Sequence, residues 1–207
     1  MGCNHSSASS IRSNHYKESK VSPRSNQIRR GSFLFTRVLG EGGFGVVIAA
    51  QTILQDKDGA ARSKWFAVKE IKKKDLRHHK SGLNMLFSEL QALKRLQNPY
   101  IVGLHFAFND SESYFLVLDL LVGGDLRQYL KQHVVLEESH VRFMAACICS
   151  ALEYMHSKYV LHRDIKPENI LLDEYGYPYL TDFGVAYLHT DHSQARKPPL
   201  NPITIFF

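Results

Sequence analysis

Cysteine is scarce in this sequence, and long apolar runs are missing from it. Three cysteines in 207 residues cannot build the disulfide framework of a small secreted protein, so we predict an intracellular protein with reduced thiols. No apolar run approaches the roughly 18 residues of a membrane-spanning helix. Residues 1–10 are polar where the apolar part of a secretory signal would begin. A composition of 44% hydrophobic and 22% charged residues excludes a wholly disordered or fibrous chain.

Acidic residues are almost missing from residues 1–31, which we name the basic arm. Glu18 is its single acidic residue, and its basic residues are Arg12, Lys17, Lys20, Arg24, Arg29 and Arg30. Because the formal net charge of the whole chain is +6, the rest of the chain is nearly neutral, and we expect no nucleic-acid-binding domain. The arm is rich in Ser and Asn without helical or strand periodicity, so we predict that it is disordered.

Periodicity divides the rest of the chain into two parts. The first part is rich in strand formers, and its predicted strands surround a glycine cluster at 40–45 and cover 65–71, 101–109 and 114–120. Between them a helix is predicted over 82–97, whose apolar face comprises Leu83, Leu86, Phe87, Leu90, Leu93 and Leu96. The second part is helical, with helices predicted at 125–132 and 138–158. This order indicates an α+β fold of two lobes.

The glycine cluster contains a G-x-G-x-x-G pattern at Gly40, Gly42 and Gly45. A tight hairpin turn is one interpretation, and a dinucleotide-binding turn is another, but the latter must open a helix. Here the glycines lead into Val46-Val47-Ile48, a strand. Glycines between two strands let a backbone lie close over phosphate groups, with N–H groups directed at them.

A lysine in a strand and a glutamate in the following helix form the second candidate pair. Lys69 ends the strand motif Ala67-Val68-Lys69, and an ammonium group held in a cleft suits two phosphates. Glu89 lies between Leu86 and Leu93 at helical spacing, so it shares a face with apolar residues. Each residue alone would be read as solvated, but together they predict a structural ion pair.

Two polar loops in the second part complete the pattern. Asp164, Lys166 and Asn169 offer a carboxylate, a cation and an amide within six residues, between apolar flanks. Asp182 follows after a hairpin predicted at 173–176, which would return it to Asn169. Carboxylate and amide oxygens suit Mg²⁺.

These motifs resemble, in order and spacing, the eukaryotic protein kinase domain over residues 33–188. The resemblance implies a two-lobed kinase fold with a complete β-rich N-lobe and an incomplete helical C-lobe. Lys166 resembles the Ser/Thr kinases. Residues 118–126 look like the AGC group, and residues 120–127 with the His162 loop look most like its YANK subfamily, which typically has Asn where this chain has Gly184.

The resemblance carries roles onto individual residues. ATP phosphates would lie under Gly40, Gly42 and Gly45, with Lys69 on the α- and β-phosphates and Glu89 positioning it. Asp164 would accept the proton of the substrate hydroxyl, Lys166 would neutralise charge near the γ-phosphate, and Asn169 and Asp182 would hold Mg²⁺. Adenine would lie among Leu39, Val47, Ala67, Leu118 and Leu171. The backbone of Asp119 and Leu121 would read its edge, and Asp125 would reach the ribose. An apolar stack joining the lobes would comprise Leu93, Leu104, His162 and Phe183.

The N-terminus carries a separate signal. Residues 1–6 fit the N-myristoylation pattern with Gly2 as acceptor, and Cys3 beside it suits palmitoylation. One acyl chain anchors weakly, so the second chain or the basic arm would complete attachment to the cytoplasmic face of a membrane. An ordinary unmodified start is the alternative. Arg29-Arg30-Gly31-Ser32 resembles a basic-directed phosphorylation site, or it is a passive linker.

The end of the sequence departs from the family pattern. An Ala-Pro-Glu motif is absent after Tyr187, and three prolines follow at 198, 199 and 202. We therefore expect a truncated chain with a basic arm at 1–31, an N-lobe at 32–120, a partial C-lobe at 121–188 and an irregular tail at 189–207. The expected function is a monomeric Ser/Thr kinase acting on proteins, inactive if the missing segment is needed. The alternative is a non-catalytic, membrane-tethered ATP-binding or adaptor fragment.

Overall fold

A five-stranded antiparallel sheet forms the first part of the molecule. The computed structural model describes residues 28–42, 45–55, 61–78, 81–133 and 135–189. The strands are β1 (Leu34–Gly42), β2 (Gly45–Gln55), β3 (Ala61–Lys72), β4 (Leu104–Asn109) and β5 (Ser113–Leu118). Their order in the sheet is β1-β2-β3-β5-β4, so β5 lies between β3 and β4. The predicted strand-rich first lobe is confirmed.

Two helices follow β3 and pack on one face of the sheet. They are α1 (Lys73–His78), which was not predicted, and α2 (Gly82–Arg95). The predicted apolar face of α2 is partly wrong, because Leu83 and Phe87 are 45% and 49% exposed. The buried positions instead include Leu86, Glu89 and Leu93, at spacings of three and four that follow the helical repeat.

The second part is built from helices and short hairpins. The helices are α3 (Leu126–Gln132) and α4 (Glu138–Ser157), close to the predicted bounds. Two small sheets follow, the pair β6 (Val160–Leu161) with β9 (Tyr187–Leu188) and the pair β7 (Ile170–Leu172) with β8 (Pro178–Leu180). The β7–β8 hairpin confirms the predicted turn at 173–176. Among the helices that the structure describes, none is long and apolar enough to cross a membrane.

Two apolar clusters hold the fold together. The main cluster crosses both parts of the molecule and includes Leu93 of α2, Leu116 of β5, Met155 of α4 and Phe183. The second cluster lies on the opposite face of the sheet, which we name the outer sheet face. It comprises Phe33, Ala50, Phe66, Val68, Phe115 and Val117. Because successive side chains of β5 alternate between the faces, this strand belongs to both clusters.

Residues 28–31, which the sequence predicts as part of the disordered arm, are folded against the sheet. We name residues 28–33 the junction. It contains a 3₁₀ turn at Arg30–Ser32, and Ile28 packs against the second cluster. Phe33 is buried, with its ring 5.8 Å from that of Phe108 and 6.2 Å from that of Phe66. Local composition suggested disorder, but the aromatic cluster provides apolar surface for these residues to bury.

Candidate active site

The glycine-rich segment is a hairpin between two strands, so the dinucleotide-binding alternative is wrong. Gly40 pairs with Val47 and Gly42 with Gly45 across β1 and β2. Gly45 has a φ of 144°, and a Cβ atom there would overlap the carbonyl oxygen of Glu70. Only glycine fits both the conformation and this close approach. The hairpin therefore lies close beside β3, and Val47 of β2 is paired with Lys69 of β3.

Lys69 and Glu89 form the predicted ion pair. The Nζ atom of Lys69 donates to both carboxylate oxygens of Glu89, at 2.7 and 2.8 Å. Glu89 is buried on α2, and burial raises its pKa above the ordinary value, while the neighbouring Lys69 charge opposes that rise. A bidentate contact at this distance keeps the lysine ammonium directed along the cleft, since both partners have little freedom to turn.

The residues predicted to surround adenine come from both parts of the molecule, four from the five-stranded sheet and Leu171 from β7. Ala67 pairs with Leu118, and Asp125 forms an isolated bridge with Leu171, which ties the connecting segment to β7. Gly123 lies so close to β7 that a Cβ atom would be 2.8 Å from the Leu172 carbonyl oxygen. The other predicted wall residues are Leu39 and Val47, on β1 and β2.

Asp119 turns its side chain away from the cleft. Its Oδ2 accepts from the Gly103 N–H at 2.8 Å, its Oδ1 is 2.6 Å from His105 Nε2, and its own N–H donates to the Gly103 carbonyl. These contacts fix the backbone at this position and are compatible with backbone recognition of a base there and at Leu121. The carboxylate of Asp125, predicted to reach the ribose, accepts from the Gln128 N–H at 2.8 Å and caps α3.

Asp164 is the centre of a hydrogen-bonded loop. Its Oδ2 accepts from Lys166 Nζ at 2.8 Å and from Asn169 Nδ2 at 2.8 Å. Burial alone would raise the pKa of Asp164, but the hydrogen bonds from Lys166 and Asn169 outweigh it and hold that pKa below its usual range. Asp164 is therefore a carboxylate at neutral pH, oriented by two partners from its own loop.

The segments that carry Asn169 and Asp182 lie side by side, as predicted. The Thr181 N–H donates to the Asn169 carbonyl at 3.0 Å, which joins the two motifs one residue before Asp182. Asp182 lies 3.9 Å from Lys69 Nζ and its side chain is 52% exposed, so its carboxylate is available in the cleft. The amide nitrogen of Asn169 is used by Asp164, which leaves its Oδ1 as the atom that a cation would contact.

The Asp182 carboxylate and the Asn169 Oδ1 atom suit Mg²⁺ when phosphates are also present. Among the described residues, no group of three or more His, Cys, Asp or Glu side chains could hold a metal. Mg²⁺ is commonly bound by one or two carboxylates together with the phosphates of a nucleotide. Asp182 and Asn169, beside the ammonium of Lys69, fit that requirement without a complete protein cage.

The predicted apolar stack assembles behind these polar groups. Phe183 is fully buried and its ring centroid is 4.9 Å from that of His162. His162 Nε2 lies 2.9 Å from the Thr181 carbonyl oxygen, and its Nδ1 accepts from the Asp164 N–H at 3.3 Å. Burial lowers the pKa of His162, and the neutral ring with a proton on Nε2 satisfies both contacts. Leu93 and Leu104 belong to the main cluster with Phe183.

Two features of the site were not predicted. Arg163 has a φ of 68°, and its Nε donates to the Val185 carbonyl at 2.6 Å. Met85 and Leu86 of α2 line a narrow cleft behind Lys69 and Glu89. Helical spacing from Glu89 could have indicated these two positions. Gly2 and Cys3, the predicted lipidation sites, lie outside the described residues.

Known proteins with this pattern are protein kinases. A family model for the protein kinase domain matches residues 33–201, which extends into the predicted tail at 189–207. A probable serine/threonine-protein kinase of Dictyostelium discoideum is 40% identical over 83% of this chain and 36% of its own length. Human serine/threonine-protein kinase 32B is 38% identical over 84% of this chain and 40% of its own length.

Human serine/threonine-protein kinase Sgk1 is 36% identical over 86% of this chain and 40% of its own length. The chain thus spans between 36% and 40% of the length of these three relatives. The matched family model covers most of the chain and includes every motif of the cleft. The chain therefore belongs to the protein kinase family, of the serine/threonine type.

Proposed function

We propose that this chain binds Mg·ATP and transfers its γ-phosphoryl group to Ser or Thr hydroxyls of proteins. The observation that carries the proposal is the line of charges from Glu89 through Lys69 to Asp182, with Nζ–O distances of 2.7 and 3.9 Å. An ammonium group beside an available carboxylate can receive a phosphate and its metal ion together. The names of the relatives and the protein kinase family support the same activity.

The site residues divide the work of positioning and charge stabilisation. Lys69, held by Glu89, would contact the α- and β-phosphates, while Asn169 and Asp182 would hold Mg²⁺. The bound metal ion supplies charge neutralisation on the phosphate oxygens. The glycine hairpin would close over the phosphates with its N–H groups, since Gly40, Gly42 and Gly45 carry no side chains to obstruct them.

Asp164 would orient the substrate hydroxyl and accept its proton. Its pKa is held low, so it is ready as an acceptor, and Lys166 keeps a positive charge 2.8 Å from it. Phosphoryl transfer depends mostly on positioning and electrostatics, because the protein has little covalent chemistry to perform. The substrate class, protein Ser or Thr, is proposed from the family.

Substitution of Asp164 tests the catalytic assignment. We expect Asp164→Asn to lower phosphate transfer to a Ser/Thr peptide library by about 10²-fold or more, while ATP binding measured by calorimetry is retained. The matched control is Asp75→Asn, an exposed aspartate on α1. Equal transfer by both variants would refute the role of Asp164. Mg·ATP binding without any transfer by the wild type would favour the non-catalytic alternative.

We also propose that the chain belongs to the AGC group, nearest its YANK subfamily. The sequence of residues 118–127 supports the group, and serine/threonine-protein kinases 32B and 32C are among the relatives. Sgk1 is within two percentage points of identity of kinase 32B. The subfamily placement therefore rests on the motif residues and not on overall identity.

Membrane attachment through the N-terminus is a further part of the proposal. Gly2, Cys3 and the basic arm would place the protein at the cytoplasmic face of a membrane. Gly2→Ala should move the chain from the membrane fraction to the soluble fraction of a eukaryotic cell, and Cys3→Ser should do so partly. Gly31→Ala is the matched control, because a Cβ atom at Gly31 has no neighbour within 4 Å. A Gly2 that mass spectrometry shows unmodified would overturn this assignment.

A further inference from the structure

The junction is held on the outer sheet face by polar and apolar contacts. Ile28 packs against the second cluster, and the guanidinium of Arg30 lies over the rings of Phe35 and Phe115, 4.9 and 5.6 Å from their centroids. Thr52 Oγ1 donates to the Ser32 carbonyl at 2.8 Å, and Thr52 itself is 2% exposed. Arg30 Nη1 lies 3.1 Å from Glu70 Oε1, which also accepts from Ser113 Oγ at 2.9 Å. Phe33 is buried in the aromatic cluster. Because these contacts involve only six consecutive residues that precede β1, release of the junction opens a small unit without unfolding the sheet.

Ser32 contributes its backbone to the attachment of the junction, while its hydroxyl group contacts only the junction's own backbone among the hydrogen bonds described. It is half-buried, and its side chain accepts a weak hydrogen bond from the Arg29 N–H at 3.2 Å. Two arginines lie three and two residues before it, and an aromatic residue follows it. An enzyme groove with carboxylates and an apolar pocket would recognise these side chains when the segment is extended.

We propose that Ser32 is a phosphorylation site for a basic-directed protein kinase, and that the junction must leave the outer sheet face before it is modified. In the attached state, the side chains that such an enzyme would read are already engaged, Arg30 with Glu70 and Phe33 with the aromatic cluster. The 3₁₀ turn also bends the segment that the enzyme groove would need extended. Attachment to the sheet and binding to the modifying enzyme therefore exclude each other.

The reaction itself is ordinary phosphoryl transfer. The Ser32 hydroxyl oxygen forms a bond to the γ-phosphorus of ATP, the bond to the ADP oxygen breaks, and the hydroxyl proton passes to the base of the modifying enzyme. The product carries about −2 charge at neutral pH. Since Arg30 is two residues away, the phosphate competes with Glu70 for its guanidinium group. Loss of that ion pair leaves a carboxylate whose side chain is 12% exposed without its cation, so the released state gains population.

The rate of modification tests both parts of this inference. The full chain is incubated with ATP and the catalytic subunit of cyclic-AMP-dependent protein kinase as the probe, and phosphate at Ser32 is followed by mass spectrometry. Thr52→Val removes the hydroxyl that holds the Ser32 carbonyl and leaves the recognition residues unchanged. We expect it to raise the rate at Ser32 several-fold. The control is Thr36→Val, which loses a comparable hydroxyl contact, to the Ala49 carbonyl at 2.9 Å, and should leave the rate unchanged.

Hydrogen exchange gives a second measurement that does not depend on the variants. Phosphorylated wild-type chain should exchange the Ser32 and Phe33 amide hydrogens, which bond to Arg29 and Arg30 carbonyls, about tenfold faster than the unmodified chain. If neither the wild type nor Thr52→Val acquires phosphate at Ser32, the assignment of Ser32 as a phosphorylation site is wrong. Equal rates in Thr52→Val and Thr36→Val, or unchanged exchange after modification, would overturn the coupling to release. A reaction without the probe kinase measures any contribution of the chain's own activity.

Discussion

Lys69 and Glu89 share one ion pair but differ in how much solvent they keep. The side chain of Lys69 is 16% exposed and that of Glu89 is 5% exposed. The burial of Glu89 therefore depends on Lys69, because a carboxylate removed from water is destabilising unless a cation compensates for its lost hydration. The raised pKa of Glu89 expresses the same dependence.

Removing the lysine should cost stability as well as nucleotide binding. We expect Lys69→Met to lower the free energy of unfolding by about 3 kcal/mol, since it leaves Glu89 buried and unpaired. The double variant Lys69→Met/Glu89→Leu should recover most of that loss without recovering ATP binding. Urea denaturation and calorimetry measure the two effects separately, with the exposed Lys74→Met as a control. A double variant as unstable as the single one would contradict the explanation.

His162 predicts how stability changes with pH. Burial lowers the pKa of His162 in the folded protein, so the folded ring stays neutral while the unfolded chain takes up a proton below about pH 6.5. Its contribution to stability is present above that value and is lost as the pH falls through this range toward the folded pKa. The melting temperature of the wild type should therefore fall more between about pH 7.5 and 5.5 than that of His162→Phe. Equal falls would show that another group is responsible.

At the scale of single elements, α3 depends on its N-cap, the residue that immediately precedes it. The helix has no buried residue, and Asp125 caps it through the Gln128 N–H. Asp125→Ala should lower stability by about 1 kcal/mol, whereas Asp125→Asn, which can still cap, should cost only a few tenths. Denaturation of both variants checks this. Nucleotide affinity then separates the cap from the proposed ribose contact, because Asn keeps the cap but removes the charge.

Helix α2 shows what periodicity can and cannot predict. Its existence, approximate bounds and the partnership of Glu89 with Lys69 followed from the sequence. Its orientation did not, because Leu83 and Phe87 look equivalent to Leu86 and Leu93 as apolar residues. The buried stripe of α2 contains Glu89. Phe87 and Leu83 precede Glu89 by two and six residues, which places them about 160° and 120° away from it around the helix. Apolar spacing identifies a helix, while the neighbouring strand decides which side is buried.

Helix α4 shows the same limit on a smaller scale. Cys147 and Cys149 look equivalent in the sequence, as small apolar residues of α4. The structure buries Cys147 and exposes Cys149, since residues two apart point in directions about 200° apart on a helix. The α4 positions that face the core are Cys147, Ala151 and Met155, four residues apart. The catalytic motifs were more predictable because their chemistry requires particular residue types at fixed positions.

At the scale of the whole molecule, the junction is part of the folded first lobe. Two shortened chains separate its contribution to stability from that of residues 1–27. Removing residues 1–27 should leave the melting temperature nearly unchanged. Removing residues 1–33 should lower the free energy of unfolding by about 3 kcal/mol or more, since it takes Phe33 from the aromatic cluster. Thermal denaturation of the two shortened chains measures this. Similar melting temperatures would mean that the junction contributes no stability.

The two apolar clusters also explain why the start of the lobe escaped prediction. The residues that cover the outer sheet face come from distant positions, and Phe33 contacts Phe66, Phe106 and Phe108. None of these contacts is visible as local periodicity. The catalytic cleft was predictable because its motifs are short and ordered, whereas the outer face is assembled from single aromatic residues at long range.

The fold should not tolerate the deletion of one residue within strand β5. Phe115 and Val117 face the outer sheet face, while Leu116 and Leu118 contact the main cluster. A deletion of one residue within this strand would turn each following side chain to the opposite face. Both clusters would then exchange members at once, and the backbone opposite Lys69 would shift along β3. In a strand with one face in solvent, half of the misplaced side chains would enter water. In β5 both faces are covered by apolar clusters, so every misplaced side chain would have to be packed again.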